Sequence, residues 1–106
     1  MTHKLPSDYL AQGWCHGTDA RNNRGEKVEV DDLEACSWCL YGAIGIALIQ
    51  DGISLRESTA LQAWMGTRAY TARWNDGPGR TQAEVVAVML EAEAAVLGRT
   101  TEVNHE

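Results

Sequence analysis

The residues with most capacity for chemistry in this chain are its three cysteines and three histidines. Cys36-Ser37-Trp38-Cys39 has the C-x-x-C spacing that, in the first turn of a helix, can lower a thiol pKa and let the pair cycle between dithiol and disulfide. No proline or basic neighbour supports a thiolate here, and the pair falls in the early turns of an expected helix rather than just after a strand. Two buried, small apolar side chains are the simpler reading. Cys15 and His16 could join Cys36 and Cys39 around zinc. Adjacent residues of a strand point to opposite faces, however, so Cys15 and His16 could not easily share one tetrahedral ion, and no metal is assigned. A thiol hydrolase would take Cys39 as nucleophile, His16 as base and Asn75 or Asp76 as the orienting group. No catalytic residue and no cofactor is assigned on this basis. A cysteine-dependent site centred on Cys39 stands as the alternative to a binding role.

A second cluster is Trp74, Asn75, Asp76 and Arg80 around Gly77-Pro78-Gly79. Free backbone N–H groups at a helix start, with an arginine nearby, can hold an anion, and the four side chains could line a small-molecule or nucleotide pocket. No P-loop lysine follows the glycines, and a tight turn that aims the next helix accounts for the same residues. Charge supplies a third cluster. Glu26, Glu29, Asp31, Asp32 and Glu34 crowd one stretch, whereas Arg56, Arg68, Arg73 and Arg80 fall in the middle third. An acidic patch attracts a basic partner protein, although such runs also serve as plain solvated surface.

Elements must hold these groups in place. Pro6 to Gly13 reads as a short helix with proline early and Tyr9 and Leu10 as its apolar contacts. Trp14 to Val30, with turn formers Asn22, Asn23 and Gly25 and alternation at Val28 and Val30, reads as a small β-hairpin. Asp31 or Asp32 then caps a central helix, with Glu34 as the box acid, spanning about 32–50 and ending at Asp51-Gly52. Leu33, Cys36, Leu40, Ile44 and Leu48 form its stripe, and Trp38, Cys39, Ile46 and Ile49 carry apolar surface almost all round. Such a helix must be central, and Gly42 and Gly45 imply that another element packs close to it, within the chain or from a second copy. Ser54 with Glu57 starts a helix to about Arg68, facing inward through Leu55, Leu61, Trp64 and Met65. Thr81 with Glu84 starts the last, facing inward through Val85, Val86, Met89, Leu90, Val96 and Leu97, and Gly98 ends it. Residues 99–106 read as a frayed tail. The fold class is α+β, mostly helical: a short N-terminal hairpin on about three helices, in a single domain spanning 1–106.

Composition bounds the function. Nine Lys and Arg against fifteen Asp and Glu leave a net charge of -6, which disfavours direct nucleic-acid binding and an anionic membrane surface. The longest apolar run, Cys36 to Ile49, is short of the roughly 20 residues of a bilayer span. Three cysteines cannot all pair, and no secretory signal follows Lys4, so a reducing cytoplasm is expected.

Trp38-Cys39-Leu40-Tyr41-Gly42-Ala43, a W-C-x-x-G-A pattern, stands between Gly13-Trp14 with Gly17 and Trp74-Asn75-Asp76 with Arg80-Thr81. Over roughly 13–95 this arrangement resembles a family of small uncharacterised proteins of bacteria and their phages, a domain of unknown function. Cys39 fits the pattern, whereas Cys15 and Cys36 stand outside it. The resemblance implies a phage or mobile-element accessory protein that binds a larger host protein or complex. The expected function is therefore a non-enzymatic binding module that inhibits its partner, of the anti-CRISPR kind, with Glu26, Glu29, Asp31, Asp32 and Glu34 as its surface and homo-oligomerisation open.

Overall fold

Capping chemistry sets most of the helix starts. A computed structural model of the chain describes residues 4–98; the tail expected to fray lies outside them. Helix α1 (Pro6–Gln12) begins with proline, whose fixed φ suits a first turn, while the Asp8 carboxylate accepts the Leu5 N–H at 2.8 Å. Helix α3 (Leu55–Thr67) opens on the Ser54–Glu57 box and α5 (Gln82–Leu97) on the Thr81–Glu84 box. Gly98 closes α5 in the left-handed conformation, φ 70°, as the sequence predicts. A single-turn helix α4 (Ala72–Asn75), capped by Thr71, forms where the sequence reads as loop.

Helix α2 (Leu40–Ile49) starts eight residues later than the range expected near 32–50. The Asp32 carboxylate accepts the Glu34 N–H at 2.7 Å and the backbone makes two successive turns, Asp32 N–H to Glu29 and Ala35 N–H to Asp32. Ser37–Trp38 then extends as strand β2 and pairs antiparallel with β1 (Ala20–Arg21), in the register Ala20↔Trp38 and Arg21↔Ser37. Trp38 also bridges Trp14 in the parallel sense. Its backbone N–H donates to Gly13 and its carbonyl accepts from Cys15. Residues 13–21 thus offer 36–39 a set of backbone partners that the local capping box cannot match.

The result is an α+β fold, mostly helical, with a two-stranded antiparallel sheet near the N-terminus. The expected hairpin is redistributed. Its turn at Asn22–Gly25 is present, with Arg21 bridging Lys27. The strand beside β1 nevertheless comes from Ser37–Trp38, and Val28 and Val30 pack half-buried against the core.

Helix α1 packs on α2 and α5, and α3 packs on both of the same helices. Leu10, Leu40, Ile44, Leu61, Met65, Val85 and Met89 are fully buried between them. The glycine side of α2 is covered by this chain itself. A Cβ at Gly42 would collide with the Asp19 carbonyl, whereas one at Gly45 would rest 3.7 Å from a Val30 methyl. Two expectations about facing are corrected. Leu55 is exposed, and α5 is rotated so that Val88, Ala92 and Glu93 join Val85 and Met89 inside, with Val86 and Leu90 half-buried. The rotation has a cause: the buried Glu93 carboxylate accepts the Ser7 N–H at 2.8 Å and the Ser7 hydroxyl at 2.7 Å.

Candidate functional site

Trp74, Asn75, Asp76 and Arg80 do come together, and the centre of the group is Asn75. It is fully buried at the end of α4. Its Oδ1 accepts the Trp14 indole N–H at 3.0 Å and the Leu40 backbone N–H at 3.1 Å. Its Nδ2 donates to the Cys15 carbonyl at 3.2 Å and to Asp76 Oδ1 at 3.0 Å. The amide therefore joins the segment after α1, the start of α2 and α4. All four of its hydrogen-bonding positions are filled, which commits Asn75 to holding the fold. Asp76 Oδ1 accepts a further N–H from Gly17 at 3.0 Å. Arg80 lies with its guanidinium 3.8 Å above the Trp74 ring centre, donates from Nε to the Trp74 carbonyl at 2.9 Å, and pairs with Glu84 at 3.5 Å.

Cys39 is the N-cap of α2, not a residue of its early turns. Its buried thiol accepts the Gly42 N–H at 3.3 Å and donates to Asp19 Oδ1 at 3.6 Å. Burial is the main reason that its pKa is pushed up to about 11, and the carboxylate of Asp19 adds to it. A nucleophilic cysteine needs the opposite shift. His16 is exposed with its ring 5.6 Å from that of Trp14, and no hydrogen bond joins it to Cys39 among the described residues. Of the two candidate orienting groups, Asn75 has its amide filled as described, and Asp76 accepts from Gly17 and Asn75. Cys15 is buried and its thiol likewise raised by burial, while Cys36 is half-buried. All three thiols are free. Because Ser37 and Trp38 are strand, Cys36 and Cys39 are separated by extended chain, roughly 10 Å at the rise of a strand, beyond the reach of a disulfide. Among the described residues no group of three or more His, Cys, Asp or Glu side chains is arranged to hold a metal ion.

Glu26 closes the Asn22 turn, and Glu29, Asp31, Asp32 and Glu34 lie on the two turns that follow, where the start of the expected helix is replaced. Glu26, Glu29, Asp31, Asp32 and Glu34 are all exposed. Arg24 bridges two of them, reaching Glu26 at 3.0 Å and Glu34 at 3.1 Å. Hydrogen bonds from Asn22 and then from Arg24 lower the Glu26 pKa. Glu29 and Asp31 meet no cation among the described residues. Between Asp32 and Glu34, Leu33 projects fully exposed, although the helical stripe of the sequence places it inside. Beside it runs a depression with Tyr9, Val30, Trp38 and Ile46 in its wall and Asp31 and Asp32 at its rim.

The model of one protein family, described as a family of unknown function (DUF6197), matches residues 7–95. The chain belongs to that family. Neither a curated protein nor a solved structure matches it. In this DUF6197 chain, residues 38–43 bear on the fold: the Trp38 indole N–H donates to the Val30 carbonyl at 3.0 Å, Cys39 caps α2 and Gly42 admits the Asp19 backbone. Sequence reasoning missed the partners of Asn75, the Asp19 contact with the cap and the exposure of Leu33. For Leu33 the one local hint is its place inside an acidic run, which the capping pattern of Asp31 and Glu34 outweighs.

Proposed function

We propose that this DUF6197 member is a non-catalytic protein-binding module whose partner is a host protein or protein complex, and that binding inhibits that partner. In its finer form the chain is a phage accessory protein working in the host cytoplasm against a defence system, as an anti-CRISPR does. One observation carries the binding reading: Leu33 stands fully exposed among Asp31, Asp32 and Glu34, next to a depression with an aromatic and aliphatic wall. Interfaces combine an apolar anchor with a charged rim, the anchor limiting dissociation and the rim speeding encounter. The raised thiol of Cys39 and the saturated amide of Asn75 supply no comparable support for catalysis.

The test is capture of the tagged protein's partner from host lysate at low and high salt, repeated with Leu33→Asp and with Asp31→Lys/Asp32→Lys. A stoichiometric partner is expected, released by salt, lost with Leu33→Asp and associating about tenfold more slowly with the charge reversal. Its activity should fall when the wild-type protein is added. A partner held equally by all three proteins refutes the assignment of this loop, and an empty capture refutes the binding module.

A further inference from the structure

A different observation points to a second interaction surface. From Arg56 to Arg80 the chain carries four arginines, no lysine and only two acids, Glu57 and Asp76, in a protein of net charge -6. Asp76 is turned to Gly17 and Asn75, and Glu57 closes the Ser54 box. Arg80 pairs with Glu84, but Arg56, Arg68 and Arg73 meet no carboxylate among the described residues.

Two of these arginines end a row of rings. The Arg68 guanidinium lies 4.0 Å from the Trp64 ring centre, and Trp64 stacks on Tyr70 at 6.1 Å and 20°. Tyr70 meets Trp74 edge-on at 4.9 Å and 75°, and Arg80 covers Trp74 at 3.8 Å. The row is fixed from beneath: the Tyr41 hydroxyl donates to the Tyr70 carbonyl at 2.8 Å, and all three rings pack against the core. Arg68 is further tied by Nη1 to the Trp64 carbonyl and the Thr67 hydroxyl, both at 3.1 Å. Its Nε and Nη2 have no partner among the described residues.

Guanidinium groups held on aromatic rings lose little freedom on binding and keep in-plane N–H groups for a planar anion. Carboxylates match that geometry. Phosphates do too, but single-stranded nucleic acid gains its affinity by stacking bases on open aromatic faces, and here guanidinium groups already cover the faces of Trp64 and Trp74. We propose that the Arg68–Trp64–Tyr70–Trp74 row, closed at its far end by the Glu84-paired Arg80 and followed on α4 by the exposed Arg73, is a docking surface for a carboxylate-rich segment of a partner protein, with Arg68 and Arg73 as the groups that meet the carboxylates. It stands independently of the acidic loop.

The experiment titrates full-length protein into a fluorescein-labelled peptide of alternating Glu and Ala at low salt. The same peptide with Gln for Glu, and an oligothymidylate of equal length, serve as the other probes. The Glu peptide is expected to bind and the Gln peptide not to. Arg68→Glu/Arg73→Glu should weaken binding by at least about tenfold, and Arg73→Glu alone, at an exposed side chain with no hydrogen bond or ion pair among the described residues, by about threefold. Arg24→Glu should leave it unchanged. In NMR spectra the indole N–H signals of Trp64 and Trp74 should shift while those of Trp14 and Trp38 stay put. The proposal falls if the Glu peptide does not bind, if Arg73→Glu binds it as well as wild type, or if the oligothymidylate binds more tightly.

Discussion

Replacing Asn75 tests whether the 74–81 loop is a structural joint. Asn75→Ala removes an acceptor from the Leu40 N–H and the Trp14 indole and a donor from the Cys15 carbonyl. The Leu40 and Cys15 groups are buried, and each buried polar group left unpaired costs about 1–3 kcal/mol, while the half-buried indole can recover part of its loss from water. The expected destabilisation is about 3–6 kcal/mol, a large share of the roughly 5–15 kcal/mol that holds a domain of this size. In urea, followed by tryptophan fluorescence, that is a midpoint lowered by about 2–4 M. Asn75→Asp separates the donor from the acceptor. It keeps the acceptor oxygen but sets a carboxylate against the Cys15 carbonyl and Asp76. Burial and repulsion raise the introduced group's folded pKa above its unfolded value of about 3.9. The folded state then binds the proton more tightly, so the deficit is full above the raised value and shrinks as pH falls toward 3.9. A midpoint for Asn75→Ala within about 0.5 M of wild type would refute the reasoning and return Asn75 to the list of ligand-binding candidates.

Iodoacetamide at neutral pH should modify Cys36 first and Cys39 only on unfolding, as read by mass spectrometry; fast labelling of Cys39 in the folded protein would revive the thiol site. Since the Cys39 pKa is raised from 9.0 to about 11, the unfolded chain releases that proton first. Stability should therefore fall between pH about 9 and about 11, and Cys39→Ser should flatten the fall in a pH series of urea melts. Gly42→Ala should prevent stable folding because its Cβ meets the Asp19 carbonyl, whereas Gly45→Ala should gain about 0.5–1 kcal/mol in thermal melts. Glu93→Ala should cost about 2–4 kcal/mol and lose hydrogen-exchange protection at the Ser7 amide, while Glu93→Gln should cost less.

What the sequence conveys follows the range of the forces involved. Ser54–Glu57, Thr81–Glu84, Pro6 and Gly98 act within one or two turns, so the ends of α1, α3 and α5 are legible from them. Asp31 and Glu34 carry the same local signal, yet α2 does not start there. Trp38 is recruited as strand by residues some 20 positions earlier, an influence that spacing does not record. Asn75 presents the same limit: as a turn former it reads as loop, and apart from the adjacent Asp76 its partners lie 35 to 61 residues away. The acidic cluster was visible as charge, but the exposure of Leu33 within it depends on the helix not forming.

The close approach of Asp19 to Gly42 bears on how this family can be compared across lineages. A carbonyl seated where a side chain would begin forbids every residue but glycine, whatever the protein binds, and Gly13 and Gly52 meet the carbonyls of Cys36 and Lys4 in the same way. Drift at these three positions is closed by sterics, so their invariance among relatives would report ancestry of the fold and say nothing of a shared target. Leu33 is under no such constraint. An apolar residue retained there, or a correlated exchange of its acidic neighbours, would be the imprint of a partner evolving opposite it.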